Sequence, residues 1–417
     1  MQSAFFALNE QILPYDKAVK LMKKYAEKAY GRKGHEIVEK NWAAIDAGKA
    51  GLIELEVKPE WAKLEDAKVI VDTTRPDFVA NIADPVNAIK GYDLPVSAFT
   101  GYEDGTMVNG GTAYEKRGIA NYVPEWIEDN CIQCNQCAFA CPHAVIRPFL
   151  LTEEEMAAAP EGLTTKKAVG KGLEGLQYKI QISTLDCTGC GVCVEVCPAK
   201  TKALAMSPIH EEIEKGEIVN SEYLFNEVTY KDNLVAKTNP KNSQFAKPLF
   251  EFSGACAGCG ETPYVKLVTQ LFGERMQIAN ATGCSSIYGA SFPATPYTTL
   301  DNGRGPAWAN SLFEDNAEFG YGMRHGNETL RDRLQNVFVK NKDNVSKDEA
   351  ALYTNWLENR NDGDITLDVF NKLMPLVAER TDEAAEEIKE LSHYIVKQSN
   401  WIIGGDGWAY DIGYGGL

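Results

Sequence analysis

The sequence predicts a multidomain α/β protein, in which a small cysteine-organised domain is followed by a parallel-sheet α/β domain. Two observations carry this. Eight of the eleven cysteines fall into two copies of one spacing. Across residues 236–417, short apolar strands alternate with helical segments, the pattern of a parallel sheet. A chain of 417 residues has room for about three domains.

Cys131, Cys134, Cys137 and Cys141 read C-x2-C-x2-C-x3-C with Pro142 next, and Cys187, Cys190, Cys193 and Cys197 repeat the pattern with Pro198 next. This is the signature of bacterial two-cluster ferredoxins, in which the fourth cysteine of each run ligates the other cluster. The motif therefore assigns one [4Fe–4S] cluster to Cys131, Cys134, Cys137 and Cys197. The other takes Cys187, Cys190, Cys193 and Cys141. Gly189 and Gly191 let the second loop bend and turn N–H groups toward sulfur. Structural zinc, the weaker alternative, uses one C-x2-C pair and a distant second pair. Disulfides belong to small secreted scaffolds.

A formal net charge of −17 argues against a nucleic-acid partner and against anionic membrane surfaces. No apolar run reaches the roughly 18 residues of a membrane span. Met1 to Glu10 has no cationic stretch ahead of its apolar residues, so it does not read as a signal peptide. Reduced, cluster-bearing cysteines point to a cytoplasmic and anaerobic setting.

In chain order, residues 1–50 read as helical. Ala18, Leu21, Met22 and Tyr25 fall at helical spacing within Pro14 to Tyr30, and His35 to Ala47 forms a second helix. Such short helices do not bury their faces alone. Lys68 to Asp72 reads as a strand, Asn109 to Thr112 as a turn, and Glu115-Lys116-Arg117 as a solvated charged loop. The 45 residues between the two cysteine runs predict a helix over Glu153 to Ala159 and a strand over Gln177 to Ile182. That insert is expected to pack on a neighbouring domain, with Glu153 to Glu155 as a solvated face. Pro263 to Phe272 reads as a helix with proline in its first turn. Met276 to Ala279 reads as a strand, and residues 328–398 as mostly helical with Ser346 and Thr366 as N-caps. Trp401 to Ile403 reads as a buried strand, followed by a helix at Trp408 to Tyr410.

Three cysteines remain. Cys256 and Cys259 form a C-x2-C pair in a glycine-rich loop, and Cys284 follows a strand. Spacing leaves ligation of a third cluster and plain buried thiols equally open. Gly405-Asp406-Gly407 also follows a strand, where glycines let backbone N–H groups approach a diphosphate. Asp406 is then placed to hold Mg²⁺. Read alone, the tripeptide is more often an ordinary turn.

Together these residues resemble the single-chain pyruvate:ferredoxin (flavodoxin) oxidoreductases, thiamine diphosphate enzymes with three [4Fe–4S] clusters. Gly254 to Pro263 is similar to the family's proximal-cluster loop, and Ala281 to Gly289 to its third-ligand segment. Gly404 to Gly413 is similar to its thiamine diphosphate loop. Gly111 to Gly118 resembles its Glu-Lys-Arg signature. The resemblance implies that Cys256, Cys259 and Cys284 ligate the proximal cluster, and that Glu261 and Cys284 contact thiamine diphosphate. Gly405, Asp406, Gly407 and Trp408 would bind the diphosphate, with Asp406 on Mg²⁺. Asn41 would touch coenzyme A.

It also implies four parts. Residues 1–70 would be the C-terminal part of a coenzyme A-binding-type domain, and 71–120 a small linker domain with the Glu-Lys-Arg signature. Residues 121–235 would be the ferredoxin-like domain, and 236–417 a partial thiamine diphosphate-binding domain. The implied reaction turns pyruvate and coenzyme A into acetyl-CoA and CO₂, with electrons passing to ferredoxin or flavodoxin. The full-length form would be a homodimer. Family members are longer, and their fourth proximal-cluster ligand, thiamine-activating glutamate and last Mg²⁺-binding segment have no counterpart here. The chain thus reads as an internal fragment, inactive alone. Two alternatives stay open: a ferredoxin-type carrier without catalysis, or an oxidoreductase of another 2-oxoacid.

Overall fold

The computed structural model describes residues 1–63, 75–291, 294–405 and 408. The chain divides into two compact units, Met1–Val71 and Asp72–Leu417.

The first unit holds α1 (Gln2–Leu8), α2 (Tyr15–Tyr30) and α3 (His35–Ala50). Pro14 precedes α2, and Gly34, at φ +106°, separates it from α3. Ser3 Oγ donates to Ile45 O at 2.6 Å, joining α1 to α3. A Cβ at Gly48 would lie 2.6 Å from Ser3 Cβ, so glycine alone permits this approach. Of these helices' residues, Ser3, Ala18 and Val38 are buried. Three helices burying so little have a weak core of their own. The strand expected at Lys68 to Asp72 lies outside the described residues.

In the second unit, residues 75–120 run through short turns, with Phe78, Ile82 and Ala83 packed against Tyr102. The charged triplet is more than a solvated loop. Lys116 Nζ pairs with the buried Asp186 carboxylate at 2.6 Å, and Arg117 pairs with the buried Glu115 carboxylate at 2.6 Å.

The cysteine-rich region is built on two small antiparallel sheets. One pairs β1 (Tyr122–Trp126) with β5 (Leu204–Pro208), Trp126 facing Leu204. The other runs β2 (Ile146–Leu151), β4 (Gln177–Ile182), β3 (Lys166–Lys167), with β4 central. Pro148 is tolerated because β2 is an edge strand. β4 alternates in sequence yet is buried on both faces. Its buried donors are engaged: Gln181 Nε2 donates to Glu217 Oε2 at 2.8 Å, and Lys179 lies over the Trp126 ring. Val123, Ala138, Ile146, Tyr178, Ile180 and Leu204 share one core with Cys141, Cys187 and Cys193. The insert folds back on this core, and Lys241 Nζ from the following segment donates to Val169 O at 2.8 Å. Glu155 departs from a solvated face: it closes a capping box with Thr152 and pairs with Lys231 at 2.7 Å.

The remainder is α/β. After α4 (Thr262–Phe272) come β6 (Met276–Ala281), β7 (Ala307–Ser311) and β8 (Ser399–Ile403), a parallel sheet in the order β7-β6-β8. Between β7 and β8 lies a layer of four helices: α5 (Asn316–Asn341), α6 (Lys347–Asn359), α7 (Gly363–Ala378) and α8 (Glu383–Glu390). Their core centres on Phe338, Tyr353, Trp356, Leu373 and Ile388. Ser346 caps α6 as expected, in a full capping box. Thr366 does not cap α7. Asp362 does, accepting from Asp364 N and Ile365 N, while Thr366 is buried inside the helix. β8 is only half-buried, because it forms one edge of the sheet among the described residues.

A candidate relay of cysteine loops beside a glycine-lined sheet edge

The first cysteine loop lacks the glycines of the second, yet adopts the same backbone. Gln133 and Asn135 sit at φ +57° and +59°, where Gly189 and Gly191 sit at +69° and +75°. Side-chain hydrogen bonds hold them there. Gln133 Nε2 donates to Lys167 O at 2.7 Å and its Oε1 accepts from Val169 N at 2.8 Å. Asn135 Nδ2 donates to Lys241 O and its Oδ1 accepts from Tyr178 OH, both at 2.7 Å. Local polar bonds thus offset the strain of left-handed non-glycine residues.

The eight cysteines form two groups. Cys131, Cys134, Cys137 and Cys197 line one cavity with Trp126, Tyr178 and Leu204. Cys141, Cys187, Cys190 and Cys193 line a second with Pro124, Val145 and Ile146. The last cysteine of each run therefore faces the other run's cavity, as the spacing predicts. Among the described residues no three His, Cys, Asp or Glu side chains converge on a single-ion position. Each quartet frames a space wider than one metal, which suits a cluster better than zinc. Burial, then the neighbouring thiolate of Cys131, push the Cys137 thiol far above its ordinary range. Burial likewise pushes Cys187 up to about 12, against the lowering effect of Gly189 N–H. Collected thiols that resist ionising call for positive charge in their midst, which an iron–sulfur core supplies. Gly189 N donates to Cys187 Sγ and Ala203 N to Cys197 Sγ, each at 3.4 Å. Such N–H···S bonds tune a cluster's potential.

The third group is looser. Cys256 is exposed and Cys259 half-buried. Their loop touches the second motif: a Cβ at Gly258 would lie 3.8 Å from Cys190 Cβ and 3.7 Å from Val192 Cγ2. His143 Nε2 meets Ala255 O at 2.9 Å from the other side. Cys284 follows the end of β6, and Gly404-Gly405 follows the end of adjacent, parallel β8. A Cβ at Gly405 would lie 3.6 Å from Cys284 N, so the two loops meet at the carboxyl edge of the sheet. Ligands of open α/β sheets bind at this edge. Ser285 is buried there, with a hydroxyl that finds no partner among the described residues; the phenol of Tyr297, in the core against Phe250, likewise finds none. Burial first, then the charge of Glu261, push the Tyr288 and Tyr297 phenols far above the usual tyrosine range. Glycine-lined backbone and the orphaned Ser285 hydroxyl suit a polar, phosphate-bearing ligand. Trp408 stacks on Gly404, leaving no room for a Cβ there. Asp406 and Gly407 lie outside the described residues. In the first unit, Asn41 Nδ2 donates to Ile37 O of its own helix at 2.7 Å.

Arg147 and Lys266 are among the buried cations that escaped the sequence reading. Arg147 pairs with Glu251, donates to Tyr230 OH at 2.8 Å, and lies over the Phe225 ring. Lys266 on α4 is 1% exposed and donates to backbone carbonyls of the first cysteine loop. Burial lowers its ammonium to about 8, with the thiolates of Cys141 and Cys137 opposing. Its sequence signal was its spacing: Lys266 shares the buried face of α4 with Thr262, Val265 and Thr269.

Paired antiparallel ribbons carrying two interleaved cysteine quartets define a ferredoxin-type electron-transfer module, here joined to a parallel α/β sheet. A family model described as a 4Fe-4S dicluster domain matches residues 130–201, and one described as EKR, a domain of unknown function, matches 65–120. The chain is 49% identical to the pyruvate:ferredoxin oxidoreductase of Moorella thermoacetica, over 100% of this chain and 36% of that protein. It is 47% identical to the pyruvate-flavodoxin oxidoreductase of Klebsiella pneumoniae, over 100% of this chain and 35% of that protein. It is 44% identical to the mitochondrial pyruvate dehydrogenase (NADP+) of Euglena gracilis, over 100% of this chain and 23% of that protein. Over its whole length the chain is thus similar to pyruvate:ferredoxin and pyruvate-flavodoxin oxidoreductases, and it spans about a third of the length of the first two relatives. No helix among the described residues is long and apolar enough to cross a membrane.

Proposed function

We propose that this chain forms the electron-transfer part and one wall of the cofactor site of a 2-oxoacid oxidoreductase. The overall reaction is pyruvate plus coenzyme A giving acetyl-CoA, CO₂ and two electrons, delivered to ferredoxin or flavodoxin. The observation that carries this reading is the contact series Gly405–Cys284, Gly258–Cys190 and the two interleaved quartets. It supports a route in which the sheet edge meets Cys284 and the Cys256–Cys259 loop meets the second cysteine run.

In this reading Gly405, Asp406, Gly407 and Trp408 hold the diphosphate of thiamine diphosphate, with Asp406 on Mg²⁺ and Glu261 beside the cofactor. The bound cofactor supplies the electron sink that decarboxylation requires. Cys256, Cys259 and Cys284 hold a cluster next to it. The quartet of Cys141, Cys187, Cys190 and Cys193 is the middle station, because Cys190 borders the Cys256 loop. The quartet of Cys131, Cys134, Cys137 and Cys197 is the exit, and exposed Ile132 marks its outer side. Asn41 is carried as a coenzyme A contact and the intact enzyme as a homodimer, both on the family resemblance alone.

Anaerobic iron and thiamine analysis of the intact protein tests the reading. About twelve irons per polypeptide and one bound thiamine diphosphate are expected. Eight irons and no thiamine would leave an electron carrier without catalysis.

A further inference from the structure

Lys266 is a buried cation without an anion. Its Nζ donates to Ala138 O, to Phe139 O at 3.0 Å and to Cys141 O at 3.1 Å. Three carbonyl acceptors use all three protons of an ammonium group, so the side chain is held in its charged form. Among the described residues no carboxylate lies within ion-pair distance of it. Buried charge is strongly disfavoured unless an opposite charge compensates it.

The location of the carbonyls indicates where that charge is. Ala138 and Phe139 belong to the one-turn helix Gln136–Ala140, which carries Cys137. Cys137 faces the first cavity and Cys141 the second. The ammonium therefore sits on the backbone segment that joins a cysteine of one quartet to a cysteine of the other, and it arrives on α4, the helix that follows the Cys256–Cys259 loop.

We infer that Lys266 is a tuning residue whose fixed charge raises the reduction potential of both iron–sulfur clusters, which are its counter-anions. This rests on the reading that the eight cysteines ligate two clusters. Each reduction adds one electron and one negative charge to a cluster, with no bond made or broken. A nearby cation stabilises the reduced state more than the oxidised one. A lysine on helix-end carbonyls is also explained as a simple cap. The cap reading predicts lost stability but no change of potential when another donor replaces it.

Lys266→Gln keeps a hydrogen-bond donor and removes the charge, whereas Lys266→Arg keeps the charge. Both are made in the intact protein, purified without oxygen, with iron counted and the clusters titrated with dithionite under EPR detection. In K266Q the reduction equilibrium of each cluster should fall about tenfold, about 59 mV for a one-electron couple. K266R should stay near wild type. Intact clusters at unchanged potentials in K266Q overturn the inference. Should K266Q lose its clusters, K266R decides: retention upholds the need for charge, and loss in both means a packing role and defeats the inference. Wild-type protein without iron at these cysteines would instead defeat the cluster reading itself.

Discussion

Gln133 and Asn135 hold the backbone that Gly189 and Gly191 hold in the matching loop, and they do so with side-chain bonds rather than freedom. Asn135→Ala should therefore cost more than Asn135→Gly. Alanine keeps the left-handed strain and loses the bonds to Tyr178 and Lys241, a penalty of about 1–3 kcal/mol. Chemical denaturation with iron retention as a second readout should rank the proteins Asn, Gly, Ala. Gly189→Ala should damage the second loop, because its Cβ would lie 2.9 Å from Tyr122 O at φ +69°. Arg147 and Glu251 invite a different comparison. Removing either partner alone leaves a buried charge and should cost about 3–5 kcal/mol, whereas Arg147→Met combined with Glu251→Gln should recover much of it. At this scale the cysteines were legible in the sequence because ligand spacing is local. Gln133, Asn135, Arg147 and Lys266 were not, because their roles come from partners tens of residues away.

Among the elements, the helical layer α5–α8 carries its own electrostatic lock. Glu328 on α5 accepts from Lys397 at 2.6 Å and from Arg360 at 3.2 Å, and also pairs with Arg324. Burial alone would raise its carboxyl, but Lys397 and Arg324 outweigh that and hold it at about 2. In an unfolded chain the group titrates near about 4.3. Its stabilisation is thus complete above about pH 4.3 and is lost as pH falls toward 2. Melting followed between pH 6 and pH 3 should drop less steeply in Glu328→Gln. Ser346→Ala should cost about 1 kcal/mol by opening the α6 capping box. The same residue class misled at α7. Thr366 offers a hydroxyl to Asp362 O and accepts Lys397 N, both inside the fold, while Asp362 caps the helix four residues earlier. Helices α2, α3 and α4 and strands β4, β6 and β8 follow the patterning of the sequence. The burial of β4 on both faces and the half-exposure of β8 depend on sheet order, which patterning does not carry.

Over the whole molecule, the contact between Gly258 and Cys190 orders the proposed stations. Ile132→Glu, on the exposed outer side of the exit quartet and not itself a ligand, should leave pyruvate able to bleach the clusters of the intact enzyme while ferredoxin reduction falls more than tenfold. Rapid-mixing absorbance separates the two, and parallel loss of both would contradict the order. The repeated spacing made the pairing of quartets legible, but nothing in it said which quartet faces the sheet edge. The interleaving has one more outcome. Each loop lends its final sulfur to the other's cavity, so on the proposed ligation neither ring can be closed or opened by itself. Assembly should then be all-or-none, and one oxygen-damaged thiol in either run should cost the domain both of its staples. The redundancy suggested by two copies is thereby reversed: duplicated parts, joined this way, share a single point of failure.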